Sequence, residues 1–270
     1  MASVEFTRED CLDLLRSLQD DSVDLVLTDP PYFIGYEGQG WDNQWRDEAA
    51  YLDWCRRWTA ECARVLKPGR MLIVWGTLKT DTFLRYKLDV LNSFPELIGQ
   101  NEIIWSYNWG GRSKANFARK HEYAWCYSKG EPFLFHGDDV RVPRKMDKNM
   151  RTGGLHTTGM IPTSVWEVNN HTNSKDFVNW HPTTKNLAVL DRMIRAYTNP
   201  GDTVLDSFMG SASTAIAALR ADRNAIGCER SSFYFSKASA RIEAEEARLS
   251  LLANALRTES TSPDSAHHLG

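Results

Sequence analysis

"VLDSFMGSASTAIAALRADRNAIGCERS", Val204 to Ser231, decides the fold. A β-friendly apolar run ends in Asp206, and a small-residue turn (Gly210, Ser211, Ala212, Ser213) then opens a helical run from Ser213 to Leu219. A second strand, Asn224 to Cys228, follows and delivers Glu229. Strand, helix and strand in this order make a unit of a parallel sheet. In doubly wound sheets ligands bind beyond the carboxyl ends of the strands, where a tight turn admits close approach to backbone amides. Asp206 and Glu229 both stand at such ends. A purely structural strand–turn–helix junction fits the same residues, and this stretch alone does not separate the two readings.

A carboxylate after the second strand is placed to accept hydrogen bonds from ribose hydroxyls. Pyrophosphate binding needs three glycines ahead of a helix N-terminus, whereas Phe208-Met209-Gly210-Ser211-Ala212 has one clear glycine. The turn therefore suits an adenosine-bearing cofactor without phosphates, such as S-adenosylmethionine, better than NAD.

Outward from this unit the alternation continues. Strands are expected over Val23–Thr28, Met71–Trp75, Glu102–Tyr107 and His121–Tyr127. Helices are expected over Ala49–Leu66, Asp81–Leu91, Thr184–Tyr197 and from Ser232 to Leu256, with a short amphipathic stretch carrying Leu12, Leu15 and Leu18. Lys67, Pro68 and Gly69 should stop the second helix. Gly35, Gly38 and Gly40 mark a loop, a candidate lid, closed by Trp41 and Trp45. The whole predicts an open, doubly wound, mostly parallel α/β sheet. Residues 109–162 break the pattern apart from the His121 strand, and 258–270 form a polar tail expected to be disordered.

A chain of 270 residues with 42% apolar and 25% charged residues has the makeup of a globular protein. No run approaches a membrane span, and no signal-peptide core is seen. Five scattered cysteines (Cys11, Cys55, Cys62, Cys126, Cys228) point to a reducing cytoplasm without a disulfide framework. Cys55 and Cys62 lie on an apolar helix face and read as core. Seven histidines show no ligand spacing, so no metal is expected. Net charge is −3, yet residues 112–151 hold ten Lys/Arg against five acids, leaving −8 for the rest. A basic segment on an acidic body suits phosphates; a solvated charge run fits equally.

A second stretch carries the chemistry: "LVLTDPPYFIGY", Leu25 to Tyr36. A strand ends in a carboxylate, two prolines and an aromatic, which alone fits either a turn or a clamp for a flat, electron-poor group. In context, Asp29-Pro30-Pro31-Tyr32 resembles the catalytic tetrapeptide of amino-methylating DNA methyltransferases, and Phe208–Ala212 resembles their FxGxG cofactor loop. "EDCLDLLRSLQDDSVDLVLTDPPY", "RVLKPGRMLIVW" and "NWHPTTKNLAVLDRMI" resemble further blocks of the family. Their order, with the basic region between catalytic motif and cofactor loop, resembles the β class.

The resemblance implies the Rossmann-like fold of S-adenosylmethionine-dependent methyltransferases. Residues 1–108 and 163–257 would be the catalytic and cofactor-binding parts of one domain, and 109–162 an inserted target-recognition region. It implies double-stranded DNA as partner, a homodimer as in many relatives, and a restriction-modification setting in a bacterial or phage-infected cell. Catalytic candidates are Asp29, Pro30, Pro31 and Tyr32. Cofactor candidates are Asp10, Cys11, Asp29, His181, Lys185, Asp206, Phe208, Gly210, Ser211, Ser213, Glu229 and Arg230. DNA candidates are Arg112, Lys114, Arg119, Lys120, Arg141, Arg144 and Lys145. Ala212 replaces a glycine, which places a methyl near the cofactor, and Arg70 replaces another. The chain ends soon after its last helix, without the extra DNA-binding region of some relatives.

Adenine's exocyclic amine is a poor nucleophile because its lone pair is delocalised. Asp29 and the Pro30 carbonyl, accepting its two N–H bonds, would return density to nitrogen, and the prolines hold these acceptors in place. Tyr32 would stack on a base extruded from the duplex, with Phe33 helping to close the site. The rivals are a cytosine-N4 methyltransferase, where Ser is commoner than Asp, and methylation of RNA or protein glutamine, where Asn is usual. A catalytically silent DNA-binding module is the reading from another class. No cysteine follows a proline, so the cytosine-carbon nucleophile is missing. Trp105, Trp109 and Trp125 fit either DNA stacking or core. His181 fits either a cofactor neighbour or a loop cap. The Ser232–Leu256 helix reads as sheet-covering, its stripe interrupted by Glu245 and Glu246.

Overall fold

The computed structural model describes residues 2–35, 40–108, 112–143, 159–169, 176 and 178–260, the last four by backbone alone. Its strands are β1 (Val4–Thr7), β2 (Val23–Thr28), β3 (Leu66–Gly76), β4 (Leu97–Ser106), β5 (His121–Lys129), β6 (Val165–Glu167), β7 (Thr203–Asp206) and β8 (Asn224–Cys228). The main helices are α1 (Cys11–Ser17), α2 (Glu48–Val65), α3 (Thr82–Arg85, continued by irregular turns to Ser93), α4 (Leu187–Tyr197), α5 (Ser213–Arg220) and α6 (Ser232–Ser260). The strands form one sheet in the order β1-β8-β7-β2-β3-β5-β4-β6. Only the pairings of β5 with β3 and β4 are antiparallel.

The sheet is covered on both faces. Leu25, Leu27, Ile73 and Val204 pack under α4, α5 and the start of α6. Val26, Leu72, Val74 and Leu205 pack under α1, α2 and the 82–93 segment. Burial on two sides explains why the central strands read as unbroken apolar runs. The chain leaves β2 toward β3 on one side, while β7 and β8 lie on the other. The switch point therefore falls between β2 and β7.

Most expected elements stand where the pattern put them, with some differences. The helix does stop just before Lys67-Pro68-Gly69, at Val65, but these three residues belong to β3, which they enter through a register shift opposite Val23 and Leu25. Gly69 takes φ +72°, and an added Cβ would meet the Pro132 carbonyl oxygen at 2.9 Å. β1 and β6, four and three residues long, were not expected, since such short edge strands carry too little alternation to register. β5 lies inside the sheet, so the interval 109–162 is not wholly external to the core. Trp105 and Trp125 are core side chains, as are Cys55 and Cys62, while Trp109 lies outside the described residues.

The sheet-covering expectation for α6 holds only at its start. Ala238 and Ile242 are buried, but Leu251 is 71% and Leu256 67% exposed. Glu245, which breaks the stripe, is buried against Arg220 and Arg248. Arg70 has a structural explanation: it reaches the buried Asp24 at 3.1 Å and Asp202 at 2.7 Å, tying together the starts of β2, β3 and β7.

Candidate active site

A cavity of about 390 Å³ opens at the carboxyl ends of β2, β7 and β8, at the switch point. It is lined by Asp10, Cys11, Asp29, Pro31, His181, Lys185, Asp206, Phe208, Gly210, Ser211, Ser213, Glu229 and Arg230, so chain segments more than 150 residues apart converge as the sequence motifs require. Glu9 also lines it, giving five carboxylates against two cations.

The cofactor-side residues are fixed by strand ends and helix starts. Asp10 caps α1, accepting from the Leu12 amide at 2.9 Å, and sets the buried Cys11 beside it. Burial pushes the Cys11 thiol well above its usual range. Asp206 closes β7 and accepts from Thr28 Oγ1 at 2.9 Å and the Phe208 amide at 3.1 Å. Burial raises its carboxyl to about 6 against the pull of those hydrogen bonds. Glu229 receives the Gly210 amide at 3.2 Å and the Ser231 amide at 2.7 Å, and burial raises it too. Arg230 extends to Gln44 Oε1 at 2.7 Å.

Gly210 takes φ +49°, and a Cβ there would lie 2.8 Å from His181 Nε2. His181 thus roofs the glycine turn, edge-on to Tyr234 at 4.7 Å. Burial lowers its imidazole to about 4, so it is neutral at physiological pH. Its Nδ1 accepts from the Thr183 amide at 3.4 Å, which leaves the proton on Nε2. Ala212 is fully buried in the core and is not part of the cavity wall. Its methyl packs into the core, and its backbone takes the left-handed φ of +62°.

Asp29 follows β2, beside β7 in the sheet. Tyr32 Oη donates to one of its carboxylate oxygens and Lys185 Nζ to the other. Burial and then the Asp29 charge raise the Tyr32 phenol, keeping it a donor. Lys185 also lies 3.1 Å from Glu122 Oε2, an ion pair without well-directed hydrogen-bond geometry. Burial would lower the Lys185 ammonium, but Asp29 and Glu122 outweigh it and hold it above its ordinary value. Lys185, expected beside the cofactor, lines the cavity and is bonded there to Asp29.

The Asp-Pro-Pro-Tyr loop is clamped by groups that the sequence did not single out. Asp42, 1% exposed, accepts from the amides of Tyr32 (2.9 Å), Phe33 (2.8 Å) and Ile34 (3.0 Å). Tyr51 Oη donates to the Pro31 carbonyl at 2.8 Å. Phe33 takes φ +54°, strained for an aromatic residue. Its ring stacks on Tyr51 with centroids 5.4 Å apart, so Phe33 braces the loop against α2. Arg241, also unforeseen, holds the second loop through the Ser211 carbonyl (2.7 Å) and Ser213 Oγ (3.1 Å). Asp42 gave no signal because a lone acid in a glycine-rich loop has no period; Glu122 gave only that of an acid opening a buried strand.

The basic candidates divide. Residues 112–120 bridge β4 and β5 at the carboxyl edge, where Arg112, Lys114 and Arg119 are exposed and Lys120 is half-buried. Arg119 donates to the Leu78 carbonyl and Lys120 to that of Asn108 at 3.1 Å. Arg141 is not brought to them. It pairs with Asp138 at 2.7 Å and the Gly159 carbonyl at 3.0 Å, on a segment that docks near the start of β3 through the Leu134 amide and the Gly69 carbonyl (3.1 Å). Arg144, Lys145 and the tip of the candidate lid, 36–39, lie outside the described residues. Among the described residues no cluster of His, Cys, Asp or Glu is arranged to hold a metal, and no helix is long and apolar enough to cross a membrane.

The cavity can be tested against cofactor classes. The Gly210 amide is taken by Glu229 rather than offered to a phosphate, and the wall is carboxylate-rich. Such a wall disfavours a pyrophosphate and fits an adenosine carrying a cationic sulfonium.

Comparison with known proteins places these features. Residues 23–240 match the family model N6_N4_Mtase, described as DNA methylase. The chain is 29% identical over 232 residues to Type II methyltransferase M.HpaI of Haemophilus parainfluenzae, covering 86% of this chain and 71% of that one. It is 30% identical over 243 residues to DNA adenine methyltransferase YhdJ of Escherichia coli (strain K12), covering 87% and 81%. Among solved structures, the M1.HpyAVI-SAM complex aligns with a TM-score of 0.61 at 23% identity, over 88% of this chain and 98% of that one. The cytosine-N4-specific PvuII DNA methyltransferase aligns with a TM-score of 0.69 at 20% identity, over 88% and 86%. These two structural likenesses show the shared fold.

Proposed function

The chain belongs to the DNA methylase family matched over residues 23–240, and from that premise we propose that it methylates the N6 amine of adenine in double-stranded DNA. The observation that carries this reading is the Asp29 carboxylate, set at the edge of an acid-lined cavity with both oxygens turned to donors. Asp rather than Ser at this position favours adenine over cytosine, and the relative YhdJ is named an adenine methyltransferase.

S-adenosylmethionine, when bound, supplies an electrophilic methyl on a sulfonium. Glu229 accepts from its ribose hydroxyls, Asp10 and Cys11 border its adenine, and Asp206, His181 and the Phe208–Ser213 turn enclose the remainder. Asp29 and the Pro30 carbonyl accept the two N–H bonds of the extruded amine, while Asp42 and Tyr51 keep the loop from yielding. Lys185 competes with the amine for Asp29, and Glu122 gives this cation a second anchor as the amine arrives. Tyr32 offers its ring to the base. The proton shed by the alkylated nitrogen passes to Asp29, the nearest carboxylate. Arg112, Lys114, Arg119 and Lys120 face the DNA phosphates.

The test is direct. Incubation with methyl-labelled S-adenosylmethionine and mixed-sequence DNA, then digestion to nucleosides, should place the label in N6-methyladenine. Label in N4-methylcytosine would transfer the assignment to the rival base. DNA binding without any label would make the chain a silent module. Sequencing the modified DNA would identify the recognition site.

A further inference from the structure

The loop joining β4 to β5 carries a side chain that neither the core nor the cavity uses. Phe117 is 97% exposed, the most exposed large apolar residue described. Its neighbours are Arg112, Lys114 and Arg119, all exposed, and Lys120. A local turn presents it: Ser113 Oγ accepts from the Ala115 and Asn116 amides at 3.3 and 3.0 Å, and Asn116 Oδ1 from the Phe117 amide at 2.7 Å. The base of the loop is closed, since the Tyr107 amide donates to the Lys120 carbonyl at 3.0 Å and Arg119 is bonded to the Leu78 carbonyl just beyond β3.

The loop therefore stands at the same sheet edge as the catalytic carboxylate. Gly76 at the end of β3 pairs with Tyr123, and Glu122 beside it reaches Lys185 at 3.1 Å, which in turn holds Asp29. Phe117 and Glu122 are five positions apart in the chain, at most about 18 Å of extended chain. An unpartnered aromatic ring on a cationic loop beside a base-accepting cavity has a natural occupant for its outer face. Extruding a base opens a gap in the stack, and proteins that unstack DNA fill such gaps with apolar wedges held by phosphate contacts.

We propose that Phe117 inserts into the duplex at the position vacated by the target base, with Arg112, Lys114 and Arg119 gripping the flanking phosphates. The inference rests on the methyltransferase reading above. Phe117 belongs to the extrusion step and not to methyl transfer itself, so its removal should hurt only where a paired base must be pulled out.

The experiment uses the full chain, with duplexes bearing the site mapped by sequencing. One duplex is fully paired, and a second has an abasic position opposite the target, which weakens its retention in the stack. In single turnover, Phe117→Ala should transfer methyl roughly 10- to 100-fold more slowly than wild type on the paired duplex and within about threefold of it on the abasic one. Phe117→Trp, which keeps a stacking ring, should stay within about threefold of wild type on both. A Phe117→Ala rate equal to wild type on the paired duplex, or an equal loss on both duplexes, would overturn the wedge. Should wild type label cytosine, the same comparison runs with that base as target. A wild type that labels no base at all removes the underlying reading instead, so the two failures are distinct.

Discussion

Asp29, Lys185 and Glu122 form one ion-paired unit, and on the proposed reading Asp29 and Glu122 make different predictions. Asp29→Ala removes the acceptor and should lower kcat by about 10²–10⁴-fold. It should leave cofactor affinity less affected than Glu229→Ala does, as isothermal titration can read; full turnover by Asp29→Ala would disprove the clamp. Glu122→Gln leaves Lys185 with Asp29 as its one carboxylate partner of this trio. The amine then displaces the lysine less readily, and kcat should fall about tenfold, worth ~1.4 kcal/mol, with cofactor affinity unchanged. An unaltered kcat would deny Glu122 its anchoring role. Ala212 invites a quieter test. Ala212→Gly relieves about 1 kcal/mol of left-handed strain but gives up a buried methyl worth about 0.8 kcal/mol, so chemical denaturation should show near-neutral stability. Because the methyl faces the core, cofactor affinity should not change either.

Among the elements, the 29–34 loop and the glycine turn are held by unlike devices. Proline stiffens the first from within, and Asp42 grips three successive amides from outside. Asp42→Ala would strand those donors beside a strained Phe33, costing about 2–4 kcal/mol in urea unfolding together with a large loss of kcat. A variant with wild-type stability and turnover would show that the prolines suffice. α6 is likewise two structures in one run of residues. Its first turns pack on the sheet, whereas beyond Ile242 it is moored by Glu245 to Arg220. That pairing, with Arg248, lowers the Glu245 carboxyl to about 2.

For the whole molecule, the site's buried groups write opposing slopes into the pH dependence of folding. His181 is lowered to about 4, so the unfolded chain takes up its proton first, near pH 6.5. Its contribution is present above pH 6.5 and lost as pH falls toward 4. Asp206, raised to about 6, binds its proton first in the folded state and adds stability as pH falls from 6 toward about 3.9. The stability difference between wild type and His181→Gln should therefore shrink below pH 6.5, and that between wild type and Asp206→Asn should grow below pH 6. A pH-independent difference in either pair would contradict the burial described. Cofactor binding should stabilise the folded chain as a unit: S-adenosylmethionine at a hundredfold its Kd adds about 2.7 kcal/mol, a Tm rise on the order of 5–10 °C. NAD should give no shift, and Glu229→Ala should diminish the shift from S-adenosylmethionine; a large shift with NAD would refute the cofactor class.

Much of this architecture was legible along the chain because it is local. Unbroken apolar runs marked the central strands and 3.6-residue stripes the helices, and Asp29, Asp206 and Glu229 announced themselves by standing at strand ends. Within a parallel sheet, residues at strand ends are brought together by topology whatever their distance in sequence, so motif order sufficed to assemble the cavity's outline. What only the tertiary structure decided are the contacts made across elements. Those are Lys185 bonding to Asp29 in the cavity wall, Glu122 pairing with it, Asp42 and Tyr51 bracing the loop, Ala212 facing the core, and Arg141 parting from the other basic residues. None of these has a period or a spacing. Each depends on where two surfaces meet once the sheet is wound, and that is a property of packing that no single stretch of sequence carries.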